Sequence, residues 1–218
     1  MIETEGEWKS EDLKAGLEQL SKLEPTLSKI GLFIGSTKIA EKSSELLTKL
    51  HPNMQQIGWW PCQLFHVSSL NFPKILEIST PELDTNMRLG DTRVEDAQIV
   101  TDTWKFATSD EVLQQREKLL RLPTSCIFHN NSPISFEMVG LHGQLSHQYT
   151  FPEYRNQGLG TIIEISLVQK CIKRGIHPYK CVELDNKSVL KRSAENDMWN
   201  TVTENENPRI IVYIGFSR

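Results

Sequence analysis

The chain has 218 residues, 38% of them hydrophobic and 24% charged, and a net charge of −4 at pH 7. This composition excludes an intrinsically disordered protein, and the length suits one substantial domain or one domain with a smaller companion. An isoelectric point near 5.9 gives no basic surface for nucleic acid or anionic membranes. No apolar run approaches the roughly 18 to 20 residues that span a bilayer. From the charge and the apolar runs together, we expect neither nucleic acid nor a membrane as a partner.

The cysteines and the N-terminal residues bear on compartment and metal binding. Cys62, Cys126, Cys171 and Cys181 are widely spaced and form no C-x-x-C pair. This spacing predicts reduced core thiols in an intracellular protein, with no disulfides and no metal site. Residues 1–13 are acidic and have neither the apolar core of a secretory signal nor the Arg-rich character of a transit peptide.

The first part of the chain predicts few elements. Apolar residues recur at helical or strand spacing, and Pro25 closes the first segment. The predicted elements are a helix carrying Leu13, Leu17 and Leu20, a buried strand at residues 29–35 and an amphipathic helix at Lys38–Leu50. Residues 51–90 are hard to assign, although the apolar stretch at 57–65 predicts core.

From residue 91 the patterns alternate more regularly. Thr92-x-x-Glu95 resembles a capping box, and the turn signal "HNNSP" predicts a hairpin. The predicted elements are helices at Asp91–Trp104 and Ser109–Leu122, strands at 125–128, 134–139 and 144–151, a helix after Gly158, a strand at 178–184, a helix at Asn186–Trp199 and a strand at 209–216. This order predicts an α+β fold with a mixed sheet.

The loop Arg155–Gly160 has the pattern R-x-x-G-x-G and stands between a predicted strand and a predicted helix. The first turn of a helix leaves backbone N–H groups unpaired, and the helix dipole makes that end positive. Glycines at 158 and 160 allow the backbone to approach an anion without a Cβ in the way. The loop therefore predicts a phosphate or pyrophosphate site.

Two familiar phosphate-binding motifs do not fit this loop. A nucleoside-triphosphate loop needs Gly-Lys-Ser/Thr, whereas Thr161 follows Gly160 directly. A dinucleotide fingerprint needs a third glycine, and Ile163 stands there. A tight turn at a helix start, without any ligand, remains open as an alternative.

The segments "FPEYRNQGLG", "VQKCIKRGIHPYKCV" and "DNKSVLKRS", with the upstream stretch "EDAQIVTDTWKFATSDEVLQQREKLLRLPTSCIF", together resemble the glycine N-acyltransferase family of the GNAT superfamily. The resemblance covers about residues 83–195, and residues 1–80 match poorly. It implies a GNAT fold, which is α+β with a mixed central sheet flanked by helices. We expect a short divergent α/β region at 1–80 and an acyl-CoA-binding catalytic domain at 81–218.

The same resemblance implies a coenzyme A site. The strand at 147–151 would pair its backbone with the pantetheine arm, and one of its N–H groups could stabilise an oxyanion. Asn186 could contact the pantetheine or act only as a helix cap, and Ser193 could protonate the thiolate or merely allow close packing. The implied coenzyme A-binding residues are Tyr149, Thr150, Phe151, Arg155, Asn156, Gln157, Gly158, Leu159, Gly160, Thr161 and Asn186.

The general base is where the sequence departs from the family. The family has a glutamate nine residues before the glutamate of "PEYR", and counting back from Glu153 gives Gln144. An amide does not accept a proton as a carboxylate does. His142 and His147 lie nearby in the sequence and could substitute, directly or through a water molecule, although either could be structural.

Three functions therefore stay open. The first is transfer of an acyl group from coenzyme A to glycine or a similar small amine. The second is a coenzyme A-binding module with little or no turnover, and the third is a peptide or polyamine N-acetyltransferase. The family resemblance implies a mitochondrial location, whereas the N-terminal residues favour the cytoplasm. The oligomeric state, the acyl chain length and the acceptor are not predicted.

Overall fold

The computed structural model describes residues 9–23, 32–105, 107 and 111–217. Predicted features at Pro25, at 29–31 and at Ser109 lie outside the described residues. The helices are α1 Ser10–Leu23, α2 Thr37–Leu50, α3 Phe72–Leu76, α4 Ala97–Asp102, α5 Glu111–Arg121, α6 Leu159–Lys173 and α7 Lys187–Ala194. The strands are β1 Leu32–Ser36, β2 Gln55–His66, β3 Met87–Gly90, β4 Thr124–His129, β5 Ser132–Val139, β6 Leu145–Thr150, β7 Tyr179–Glu183, β8 Asn200–Thr201, β9 Thr203–Glu204, β10 Asn207–Pro208 and β11 Ile210–Ser217.

The chain divides into two compact units. The first consists of residues 1–65, 181–196 and 201–218, and the second of residues 66–180 and 197–200. The C-terminal strand β11 belongs to the same unit as the N-terminal elements. The domain boundary predicted at residue 80 stays a prediction. No helix in the described ranges is long and apolar enough to cross a membrane.

The first unit is organised around strand β11. This strand pairs antiparallel with β1, where Tyr213 lies opposite Ile34, and with β2, where Tyr213 lies opposite Trp60. Helix α2 buries Leu46 and Leu47 in the same hydrophobic cluster as Val212 of β11. The apolar stretch 57–65, which was predicted to lie in the core, is part of the long strand β2.

The second unit is an antiparallel run of strands in the order β3-β4-β5-β6, with β7 added parallel to β6 at Leu145 and Lys180. The predicted hairpin between β4 and β5 is confirmed, since Asn130 and Asn131 turn the chain with φ values of 48° and 69°. The mixed direction of the strands confirms the predicted α+β sheet.

Helices cover both faces of this sheet, as the alternation of side chains in β4 shows. Phe128 packs with Val100 of α4 in one hydrophobic cluster, while Ile127 packs with Ile163 of α6 in another. Successive residues of a strand point to opposite faces, so α4 with α5 lies on one face and α6 on the other.

Two predicted helices are shorter in the structure. Helix α4 begins at Ala97 after a 3₁₀ turn at Val94–Asp96, and the Asp96 carboxylate caps that turn by accepting from the Arg93 backbone N–H at 3.2 Å. The capping box predicted from Thr92 and Glu95 is therefore wrong. Helix α7 ends at Ala194, well before the predicted end at 199. The reason is that Trp199 is buried in the second unit with its ring 4.2 Å from Lys180 Nζ.

The four cysteines are free thiols, and three of them are buried. Burial, as the largest cause, raises the pKa of Cys126 and of Cys171 to about 12. A thiol with so high a pKa carries almost no thiolate at neutral pH, so these two cysteines act as core residues.

A buried ion pair in the second unit generates a stability prediction. Lys180 Nζ lies 2.6 Å from Glu164 Oε1, and the two side chains are 8% and 6% exposed. We expect Lys180→Met to lower the free energy of unfolding by about 3–5 kcal/mol, because it leaves a buried carboxylate unpaired. The double variant Lys180→Met/Glu164→Leu should recover most of that loss, as measured by urea denaturation.

Lys49→Met provides the matched control, because Lys49 makes an ion pair of the same length with Glu45 on the surface. We expect this variant to change stability by less than about 1 kcal/mol. Equal losses in Lys180→Met and Lys49→Met would show that burial of the pair does not set its importance.

Candidate functional site

The R-x-x-G-x-G loop joins the end of β6 to the start of α6. Two of its residues have positive φ, Asn156 at 60° and Gly158 at 77°. A glycine adopts this conformation without a steric penalty, and asparagine tolerates it better than most residues. These two positions turn the chain so that Gly158 becomes the N-cap of α6.

The N-terminus of α6 presents free backbone donors. The N–H groups of Thr161 and Ile162 donate to the Gly158 carbonyl at 3.0 and 3.2 Å. No side chain caps the helix, and the N–H groups of Leu159 and Gly160 donate to no other atom of the described residues. Since the helix dipole also makes this end positive, the loop can hold an anion such as a phosphate.

An open cavity of about 590 Å³ adjoins the same loop. Residues 78–84 line one side of it, and Gln157, Gly158 and the first turns of α6 line the other. Gln169 of α6 ties the two sides together, because its amide donates to the carbonyls of Ile75 and Ile78, both at 2.8 Å. The cavity gives room beside the loop for a ligand larger than a phosphate group.

A polar network on the inner side of α6 holds its first turn against the sheet. The Gln148 amide donates to the carbonyl of Gly160 at 3.1 Å and to Glu137 Oε2 at 3.3 Å. The neighbouring hydroxyls of Ser135 and Thr150 are 2.7 Å apart. Glu137 is only 3% exposed, and the sequence analysis did not identify it. The detectable signal was a carboxylate in the middle of an otherwise apolar strand.

Arg155 begins the loop, and its role towards an anion stays a prediction. Its Nε donates to the Thr150 carbonyl at 2.9 Å, and its guanidinium lies 5.6 Å from the centre of the Tyr149 ring. These contacts hold the positive charge of Arg155 beside the end of β6. Phe151 ends the strand, with its N–H bonded to the Ile134 carbonyl at 3.0 Å.

Strand β6 contains a bulge at His147. Ser146 lies opposite Met138 and Tyr149 opposite Phe136, so β6 has one residue more than β5 between these pairs. His147 has a φ of 54°, which is unusual for a residue other than glycine. The bulge turns the imidazole towards α4 and α5.

Both ring nitrogens of His147 are bonded. The Thr103 hydroxyl donates to the Val100 carbonyl at 2.8 Å, so it accepts from His147 Nε2, 3.0 Å away. This assigns the proton to Nε2 and leaves Nδ1 to accept from the Gln115 amide at 3.4 Å. Burial, followed by the charge of Lys118, lowers the pKa of His147 to about 4. The ring is therefore neutral at pH 7, and the lone pair of Nδ1 accepts the hydrogen bond from Gln115.

The other two candidates for the base lie in the turn before β6. His142 is exposed, and partial burial lowers its pKa. The Gln144 carbonyl accepts from the Gly140 N–H at 2.8 Å, while its buried side-chain oxygen has no hydrogen-bond partner among the described residues. The Tyr179 hydroxyl donates to the His142 carbonyl and fixes the turn. A carboxylate substituted at position 144 would be partly desolvated.

Asn186 and Ser193 belong to the first unit and are described within it. The Asn186 side chain caps α7 by accepting from the Val189 N–H at 3.4 Å. Ser193 is 1% exposed, and its hydroxyl has no hydrogen-bond partner in the described part of the chain. Their roles towards coenzyme A stay predictions. Within the described ranges, no three His, Cys, Asp or Glu side chains are grouped to hold a metal ion.

Curated relatives of the chain are glycine N-acyltransferases. The orangutan (Pongo abelii) enzyme is 29% identical over 108 residues, which are 49% of this chain and 36% of the relative. The bovine (Bos taurus) enzyme is 26% identical over 160 residues, covering 72% of this chain and 50% of the relative. The chain thus spans half or less of the length of these relatives. No family model matches it.

Solved structures agree in fold at lower identity. A Drosophila protein superposes with a TM-score of 0.68 at 16% identity, covering 85% of this chain and 60% of that one. A GCN5-related N-acetyltransferase from Kribbella flavida superposes with a TM-score of 0.53 at 12% identity, covering 95% of this chain and 76% of that one. The chain therefore has the GNAT fold, and the comparisons confirm its resemblance to the glycine N-acyltransferase family of that superfamily.

Proposed function

We propose that the protein is an acyl-CoA-dependent N-acyltransferase whose acceptor is glycine or a similar small amine. The observation that carries the proposal is the uncapped N-terminus of α6 after the R-x-x-G-x-G loop, with free N–H groups at Leu159 and Gly160. The pyrophosphate of coenzyme A would accept hydrogen bonds from these groups, with Arg155 adding charge at the rim. Asn156 and Gln157 shape the loop around it.

The reaction joins an amine nitrogen to the thioester carbon of the acyl-CoA. The carbonyl oxygen becomes an oxyanion and re-forms the carbonyl as the carbon–sulfur bond breaks. The attacking nitrogen loses a proton, and the leaving thiolate gains one. In this proposal the backbone N–H groups of strand β6, which lies directly before the loop, would bind the pantetheine arm and the oxyanion. Holding both reactants in one orientation contributes to the rate as well.

The second candidate function is a coenzyme A-binding protein with little or no turnover. Gln144 favours it, because the family's carboxylate is absent at that position. A positioned base typically contributes about 10²- to 10⁴-fold to a rate. Losing it leaves a slow enzyme, since oxyanion stabilisation and proximity remain. A thiol-release assay with a panel of acyl-CoAs against glycine and other amines separates the two functions.

The glycine loop can be tested with the two glycines that flank α6. Gly158 precedes the helix and Gly175 follows it, with φ values of 77° and 71°, and a Cβ at either would meet nothing within 4 Å. We expect Gly158→Val and Gly175→Val to lose similar stability, at least about 1–2 kcal/mol. Only Gly158→Val should lose coenzyme A affinity in calorimetry, because only that side chain blocks the free N–H groups.

Unchanged coenzyme A affinity in Gly158→Val would exclude this loop as the pyrophosphate site. Equal loss of affinity in both variants would attribute the effect to backbone strain. Gly160→Ala adds a third test, because its Cβ would make only ordinary contacts of 3.8 Å with Gln148 and Thr150.

The dependence of rate on pH tests the missing base. An acceptor with a pKa of about 10.4 is about three orders of magnitude short of full deprotonation at pH 7. We expect slow acyl transfer at neutral pH that rises steadily up to pH 9. Gln144→Glu should raise the rate at neutral pH and flatten the rise, because its partly buried carboxyl would have a raised pKa.

A different profile would identify a histidine as the base. Because burial lowers the pKa of His147 to about 4, a rate governed by His147 would already be level above about pH 5. Loss of such a plateau in His147→Asn or His142→Ala would assign the base. No activity at any pH, in wild type and in Gln144→Glu, would favour the coenzyme A-binding module.

The structural role of His147 can be tested without substrate. Its pKa of about 4 is below the ordinary 6.5, so the unfolded chain binds more protons between these pH values. The stabilisation is therefore complete above pH 6.5 and is lost as pH falls towards 4. We expect His147→Asn, which tolerates the positive φ, to cost about 2 kcal/mol at pH 7 and markedly less at pH 4. A cost independent of pH in urea denaturation would contradict this account.

A further inference from the structure

Helix α5 carries a polar stripe on its inner face. Glu111, Gln115 and Lys118 are spaced four and three residues apart, so they share one side of the helix. The Glu111 and Lys118 side chains are 12% and 16% exposed, and Gln115 is 2% exposed. Leu113 and Leu120 are instead 68% and 63% exposed. The stripe is therefore buried beside Leu119, whereas charged residues normally face solvent.

Two of these residues form a largely buried ion pair. Lys118 Nζ lies 2.8 Å from Glu111 Oε1 across two turns of the helix. Removing two charges from water costs free energy that the pair does not fully repay. Such a pair is therefore weak evidence for a purely stabilising role.

Gln115 connects the stripe to strand β6. Its amide nitrogen is 3.4 Å from His147 Nδ1 and 3.4 Å from the Met138 sulfur. Its amide oxygen is buried and has no hydrogen-bond partner in the described residues. The charge of Lys118 acts on the pKa of both His142 and His147, although burial is the larger cause in each. The stripe therefore lies beside the strand to which the proposed function assigns the thioester.

We propose that the α5 stripe is the acceptor subsite and that it binds the zwitterion of a small α-amino acid. Lys118 pairs with the carboxylate, and Glu111 together with the amide oxygen of Gln115 accepts from the ammonium group, which loses a proton to solvent before its nitrogen attacks. This assignment rests on the proposed acyltransferase function and specifies its acceptor.

The charges of the stripe select this class of ligand. An amino-acid zwitterion carries one positive and one negative group, so it can insert between Glu111 and Lys118 and leave both charges paired. A simple amine would leave Lys118 without its partner, and a dicarboxylate would bring a second negative charge against Glu111. The free amide oxygen of Gln115 supplies the hydrogen-bond acceptor that an ammonium group requires.

The test compares glycine with glycinamide, which has the same amine and no carboxylate, in wild type and in Lys118→Met. Methionine keeps the length of the side chain and removes its charge. Loss of a charge-assisted hydrogen bond predicts a rise of about 10- to 100-fold in KM for glycine. The KM for glycinamide should not rise, because in wild type this amine leaves Lys118 without a partner, and Lys118→Arg should restore most of the preference for glycine.

Arg121→Ala is the matched control on the same helix. Arg121 pairs with Glu117 at 2.7 Å on the outer face, where the side chains are 71% and 61% exposed. We expect this variant to leave both KM values unchanged. If Lys118→Met fails to fold, Glu111→Gln tests the ammonium side, and it should weaken glycine binding while keeping the packing.

Calorimetric titration of glycine into the protein loaded with coenzyme A separates the two levels of the proposal. No thiol release with any amine in wild type would overturn the proposed function, and glycine binding would then still test the subsite. Glycine binding that is absent in wild type, or equally tight in Lys118→Met, would overturn the subsite. Equal use of glycine and glycinamide by wild type would overturn it as well.

Discussion

The candidate site depends on one hydrogen-bonded link between a strand and a helix. Gln148 of β6 donates to the carbonyl of Gly160 in the first turn of α6 and to the buried carboxylate of Glu137. The link fixes where the helix begins, and therefore where its free N–H groups point. A helix end left without a cap normally costs stability, because its donors lose water without gaining partners. Here the tether and the apolar packing of Ile163 keep that end in place.

Helix α6 and the proposed acceptor subsite need different faces of β6. The alternation of side chains along the strand provides both faces. Gln148 and Thr150 point to α6, whereas His147 and Tyr149 contact Phe136 on the side of α4 and α5. A strand directs successive side chains to opposite faces. One short strand therefore supports the anion-binding loop on one side and carries the candidate acceptor surface on the other.

The sequence was sufficient for the loop, the hairpin and the mixed sheet, because each depends on local chemistry. Positive φ at Asn130 and Asn131 and the glycine at 158 are properties of those residues themselves. Tertiary contacts decided the rest. Helix α7 was predicted to continue to Trp199, but the chain leaves the helix after Ala194 and buries Trp199. Glu137 could not be assigned from the sequence, since its partner Gln148 lies on another strand.

Two departures from expectation meet at the same strand. Gln144 replaces a carboxylate before β6, and α5 turns a charged pair inward beside His147. In both places a buried amide oxygen, that of Gln144 or Gln115, lacks a hydrogen-bond partner in the described residues. Folded proteins rarely leave such oxygens unpaired, because each costs about 1–3 kcal/mol. A ligand with N–H donors would remove that cost at Gln115, and an amine is such a ligand. The unpaired oxygen at Gln115 therefore agrees with the acceptor subsite proposed at this strand.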